Sequence, residues 1–134
     1  MRSGQIFIGG QPFPVKGLSV SQSLTESILY AETNAEKKGM ELAKARADWR
    51  IRRVAIALQN AKSFIPDPEN PTGQLLSTDK TLDEMVKILD SGIFADLTEW
   101  NKAETAVFAL DGPPVEEKNP IDGEKAKGEL LPTA

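Results

Sequence analysis

The stretch SQSLTESILYAETNAEKKGMELAKARADWRIRRVAIALQNAKS, residues 21–63, decides the fold. It runs for more than forty residues without a proline, and Gly39 is its one strong interruption. Apolar or small residues recur as Leu24, Ile28, Ala31, Ala35 and Leu42, at spacings of four, three, four and seven. That spacing is one stripe of a helix. Ala47, Ile51, Val54 and Leu58 then repeat the four-three-four pattern. At about 100° per residue the second stripe lies roughly 120–180° around the helix from Leu42. Either the helix breaks or kinks near Gly39, or one continuous helix buries different faces at its two ends. A helix-interior glycine costs about 1 kcal/mol relative to alanine, so a bend at Gly39 is plausible without being forced. Ser23 with Glu26 three residues on reads as a capping box near the start.

Upstream, Gln5-Ile6-Phe7-Ile8 and Gln11-Pro12-Phe13-Pro14-Val15 flank Gly9-Gly10. The glycines supply the positive φ angles of a tight turn, so a β-hairpin is expected. Pro12 and Pro14 confine its second strand to an edge or an irregular course. A lone hairpin is marginal in water and must lean on helices or on a neighbouring copy.

Downstream, residues 64–78 hold Pro66, Pro68, Pro71 and Gly73 and read as a loop. A second helix follows, capped by Thr81 with Glu84, with Leu82, Met85, Val86 and Leu89 on its apolar face, and ended by Ser91-Gly92. A third spans about Phe94 to Leu110, with Leu97, Trp100, Ala103, Val107 and Leu110 inward, and stops at Gly112-Pro113-Pro114. The remaining stretch is rich in proline, glycine and charge, with little apolar material to offset ordering entropy. The expected architecture is mainly α: a helical domain with a small N-terminal β-hairpin over residues 1–112, and a flexible C-terminal tail over residues 113–134.

The whole chain has 134 residues, a single domain's worth, with 40% apolar and 27% charged residues. Cysteine and histidine are both absent. That excludes disulfides, thiolate or imidazole metal ligands, thiol nucleophiles and Ser-His catalysis, and it points away from an enzyme. Nothing matches a phosphate-cradling loop, a dinucleotide fingerprint or a nucleophile elbow, so no cofactor or metal is expected. Gly9-Gly10 reads as a turn and not a phosphate cradle, because no helix begins there. Adjacent carboxylates such as Asp83/Glu84 and Glu116/Glu117 read as solvated charge. The N-terminus lacks an apolar signal region and no run is long enough to span a bilayer, so a cytoplasmic protein without membrane association is expected.

Charge is segregated along the chain. Residues 37–62 carry eight basic against two acidic side chains, and residues 79–111 carry eight acidic against three basic. Arg46, Arg50 and Arg53 stand four and three apart and form a ridge on one helix face, with Trp49 beside it. One reading is a solvated basic face. A sharper one is a protein-interaction site of Arg46, Trp49, Arg50 and Arg53 with Ile51, Val54 and Leu58, which docks the acidic helices of another copy head to tail. The net charge of −4 and the scarcity of interleaved aromatics argue against nucleic acid as the partner.

The order of elements carries a resemblance. A short strand pair leads into a long helix ending Trp49-Arg50-Ile51-Arg52-Arg53-Val54-Ala55-Ile56-Ala57-Leu58. Then come Leu75-Leu76-Ser77-Thr78-Asp79, Leu82-Asp83-Glu84-Met85-Val86-Lys87-Ile88-Leu89 and a close at Ala109-Leu110-Asp111-Gly112. Over residues 5–112 this resembles the tail assembly chaperones of long-tailed bacteriophages, small acidic proteins encoded just upstream of the tape measure protein. The resemblance implies a self-associating, non-enzymatic chaperone that coats the helical tape measure protein and helps recruit tail tube protein. It implies residence in the host cytoplasm and absence from the mature virion. The alternatives are a phage structural or head/tail-completion protein, and a small nucleic-acid-binding regulator using the basic helix. Apolar stripes on two sides of the long helix suit the chaperone reading, because one face can build the subunit while another engages a partner helix.

Overall fold

The computed structural model describes residues 2–111. Among them the chain forms two hairpins and four helices: β1 (Ser3–Ile8), β2 (Gln11–Lys16), α1 (Val20–Asn34), α2 (Gly39–Asn60), β3 (Phe64–Asp67), β4 (Asn70–Ser77), α3 (Leu82–Leu89) and α4 (Leu97–Asp111). The mainly helical class and the N-terminal hairpin are as expected. The tail read at residues 113–134 and the stop at Gly112 lie outside the described residues.

β1 and β2 pair antiparallel with Ile8 opposite Gln11 across a two-residue turn. Gly9 and Gly10 both take positive φ, 59° and 82°, as a tight hairpin turn requires. Period-two alternation sends Ile6, Ile8, Phe13 and Val15 into the core. Pro12 and Pro14 are accommodated because both strands of a two-stranded sheet are edges. The hairpin leans on α4 and α2.

The long helical stretch is broken. α1 ends at Asn34 and α2 begins at Gly39, whose φ of +58° is a left-handed conformation that favours glycine. A Cβ there would meet nothing within 4 Å, so backbone angle and not crowding sets the preference. α1 starts at a capping box formed by Ser19 and Gln22, not by Ser23 and Glu26. The Gln22 amide donates to Ser19 Oγ at 3.1 Å, and the Ser19 amide donates to Gln22 Oε1 at 2.9 Å. Ser23 lies inside the helix, and the Glu26 carboxylate is committed to Arg52.

Residues 64–78 are not an irregular loop but a second antiparallel hairpin, with a register shift between Pro66 and Asp67. Proline is barred from central strands, yet this sheet has only edges. Asp67 Oδ1 accepts from the Glu69 amide at 2.9 Å and fixes the turn. The Thr81/Glu84 box caps α3 as expected. α4 begins at Leu97, with Asp96 Oδ1 accepting from the Glu99 amide at 2.8 Å. Ala103 and Val107 are buried, but Leu97, expected inward, opens α4 and is 72% exposed.

One core joins these elements. Val54, Ala55 and Leu58 of α2 meet Ile6, Ile8 and Val15 of the hairpin, Ile65 of β3, Met85 and Leu89 of α3, and Ala103 and Val107 of α4.

The turn at Gly9-Gly10 does hold an anion, one supplied by the chain itself. Glu99 accepts from the amides of Gly9 (2.7 Å), Gly10 (2.9 Å) and Ala95 (2.8 Å), and so ties the hairpin to α4. Burial pushes the Glu99 carboxyl up, and the three amide donors together bring it below its ordinary value. A carboxylate with a depressed pKa stabilises the fold above its unfolded pKa of about 4.3, and the contribution is lost as pH falls through the folded value. Glu99→Gln is therefore expected to lower stability at pH 7 by on the order of 1 kcal/mol, a figure discounted for solvent screening. The gap to wild type should close as urea midpoints are followed to acid pH. A gap that persists unchanged below the carboxylate range would contradict the clamp.

Candidate interaction surface

α1 is amphipathic the wrong way round for a core helix. Its inward face is polar. Arg52 Nε and Nη2 donate to the two oxygens of the Glu26 carboxylate at 2.8 and 2.9 Å, and Glu26 is only 6% exposed. The side chains of Gln22 and Asn60 exchange two hydrogen bonds, each 2.9 Å, and Asn60 Nδ2 also donates to the Gly17 carbonyl at 3.2 Å. Arg53 Nη2 donates to Ser23 Oγ at 3.4 Å. The aromatic contribution is Tyr30 tilted on Trp49 with centroids 5.3 Å apart. Donation to the Glu26 carboxylate raises the pKa of Arg52 further, against burial, with the charges of Glu26 and of Asp83 at 3.9 Å adding to it.

The opposite face of α1 is the apolar one. Val20, Leu24 and Ile28 are 78%, 58% and 56% exposed, and Ala31 and Ala35 are exposed with them. At about 100° per residue these five fall within an arc of about 80°. The break at residues 35–38 lets the two stripes part company: the α2 stripe enters the core, and the α1 stripe faces outward. On the other side of α1, where it faces α2, the two helices leave a groove of about 240 Å³ lined by Tyr30, Thr33, Asn34, Lys37, Asp48 and Trp49. Two of its buried polar atoms, the Trp49 Nε1 donor and the Asn34 Oδ1 acceptor, have no hydrogen-bond partner among the described residues.

The residues singled out from the basic helix scatter. Arg46 is exposed. Arg50 is exposed but paired, its Nε 3.0 Å from Glu104 of α4. Arg53 is 4% exposed, its guanidinium over the rings of Trp49 and Phe108 at 5.0 and 5.2 Å. Ile51 packs half-buried on the core, while Val54 and Leu58 are fully buried within it. Of the expected ridge, Arg46 and Arg50 are thus at the surface while Arg53 is not, and of its apolar companions Val54 and Leu58 are withdrawn into the core. The reason is physical: attraction between the basic helix and the acidic ones operates within a single chain, through Arg50–Glu104 and Arg52–Asp83.

Gln22 and Tyr30, which the sequence does not single out, and Glu26, which it offers as a cap, turn α1 around. Their signal was present as the mismatch between the two apolar stripes. Among the described residues no helix is long and apolar enough to cross a membrane. Comparison with protein-family models, curated protein sequences and solved structures gave no match.

Proposed function

We propose that this chain is a non-enzymatic assembly chaperone of a phage tail, which takes the helical tape measure protein onto the outward face of α1. The observation that carries the reading is the solvent-facing stripe Val20-Leu24-Ile28-Ala31 on a helix whose polar face holds it to its own domain. A contiguous exposed apolar patch marks a contact site, and a four-turn helical stripe suits a second helix. The element order that resembles tail assembly chaperones supplies the class of partner, and tail tube protein is a further one.

Co-expression with the product of the downstream gene, which this reading takes to be the tape measure protein, tests it. The wild type is expected to raise the soluble fraction of that protein several-fold. Leu24→Glu/Ile28→Glu should abolish the effect while its own unfolding free energy stays within about 0.5 kcal/mol, as for exposed positions. No gain in solubility with wild type, or an equal gain with the variant, contradicts the proposal.

A further inference from the structure

The geometry points to a second contact site on the free edge of β1, where an extended segment of another protein, bearing a carboxylate, adds as a third strand. The site is built from β1 and α4 and uses no residue of the α1 stripe.

The backbone of β1 is left open. The Gly17 amide donates to the Arg2 carbonyl at 2.8 Å, and the register sets those two residues opposite each other. Bonded and non-bonded pairs alternate along an antiparallel ladder. Gly4 with Val15, Ile6 with Phe13 and Ile8 with Gln11 are therefore the bonded pairs. Ser3, Gln5 and Phe7 turn their N–H and C=O groups away from β2. Among the described residues none of these three amides finds another acceptor. All three residues are exposed.

The edge of β2 is closed by contrast. Pro12 and Pro14 stand opposite Phe7 and Gln5, at non-bonded positions, so the N–H groups they lack are those of the outer edge. Of the four described strands β1 alone carries no proline. Proline on an edge blocks the approach of another strand, and a bare edge is a template for one.

A helix walls the bare edge. α4 runs antiparallel to β1: Glu99 holds the Gly9 and Gly10 amides, and Leu110 lies 3.2 Å from where a Cβ on Gly4 would stand. Strand and helix leave a groove of about 490 Å³ lined by Gln5, Phe7, Thr98, Lys102, Ala103 and Ala106. A strand added in such a groove bonds its main chain to β1 and sets alternate side chains on the helix. Thr98, Lys102 and Ala106 stand about 6 Å apart along α4, close to the about 7 Å between same-face residues of a strand. Each can therefore meet one side chain. Ala106 leaves room for an apolar one. Lys102 calls for a carboxylate, since it has no ion pair among the described residues. The two acidic groups of the groove are engaged, Glu99 by three amides and Asp96 by the Glu99 amide. Antiparallel pairing with β1, the stabler kind, runs the segment past Thr98, Lys102 and Ala106 in that order.

The probe is the capped heptapeptide TTTETVT, whose Glu and Val are spaced for Lys102 and Ala106. An NMR titration of the full chain should give a Kd on the order of 100 μM. The amides of Ser3, Gln5 and Phe7 should exchange fast in the free chain and gain about tenfold protection or more with the peptide. N-methylation of the alternate peptide amides that face β1 should abolish binding, and N-methylation of the other set should change it by no more than about twofold. Gln5→Pro copies onto β1 the device that closes β2 and should weaken binding about tenfold. Lys102→Glu, at an exposed position, should weaken it about fivefold and transfer the preference to TTTKTVT. Leu24→Glu/Ile28→Glu should leave peptide binding unchanged, so this site stands or falls apart from the chaperone reading. No binding at about ten times that Kd overturns the inference, as do equal effects of the two methylated sets or an unchanged preference in Lys102→Glu. So does slow exchange of the three amides in the chain alone, which would put its own residues or a second copy on the edge.

Discussion

Leu58→Ala is expected to lower the free energy of unfolding by about 3–4 kcal/mol, while Leu24→Ala leaves it within about 0.5 kcal/mol. Both are leucines on apolar helical stripes in what reads as a single helical stretch. Leu58 is fully buried among side chains of the hairpins, α3 and α4, and its truncation leaves a cavity as well as losing transfer free energy. Leu24 is more than half exposed and stands outside the core cluster, so its truncation removes little buried surface. In thermal melts Leu58→Ala should drop Tm by on the order of 10–20 °C and Leu24→Ala by a few degrees at most. Urea unfolding at protein concentrations well below any self-association measures both. Equal costs would mean that the α1 stripe is packed against the body of the domain.

The second large effect concerns the pair that holds α1 in place. Arg52→Ala strands the Glu26 carboxylate, buried and hydrogen-bonded to that arginine, and is expected to cost about 3 kcal/mol. The double variant Glu26→Leu/Arg52→Met removes both charges together and should cost much less, or stabilise, because two desolvated ions give way to apolar packing. A double-mutant cycle from urea unfolding gives the coupling. A single variant no worse than the double would show that Glu26 reaches solvent or another partner. The apolar double variant also makes α1 greasy on both faces, so any loss of defined orientation should appear as line broadening of the α1 amides.

The N-terminal hairpin was legible because Gly9-Gly10 and period-two alternation are local signals. So was the Thr81/Glu84 cap. The β3–β4 hairpin was not, because prolines at 66 and 68 normally mark loops, and only its being a two-stranded edge sheet makes them harmless. The Ser23/Glu26 box was a false local match: a tertiary ion pair twenty-six residues away in sequence claimed Glu26. The Glu99 clamp joins groups about ninety residues apart and leaves no trace in local pattern. For the candidate surface, the apolar residues Leu24, Ile28, Ala31 and Ala35 and their conflict with the Ile51-Val54-Leu58 stripe were on view. Which stripe faces outward was not, because that follows from Arg52, Arg53 and Asn60 offering α1 a polar bed. The basic row pointed to a surface, but Arg50 is answered by Glu104 inside the chain and Arg53 is buried over Trp49 and Phe108.

The claim that matters most is that the outward stripe of α1 is where this chain meets another. Hydrogen–deuterium exchange, residue by residue, on the free protein and on the proposed complex with the tape measure protein tests it. The account predicts that residues 20–34 gain protection on binding by tenfold or more, while the already buried 54–58 stay as they were. A complex that forms with α1 exchanging at its free rate, and with new protection elsewhere, would contradict it.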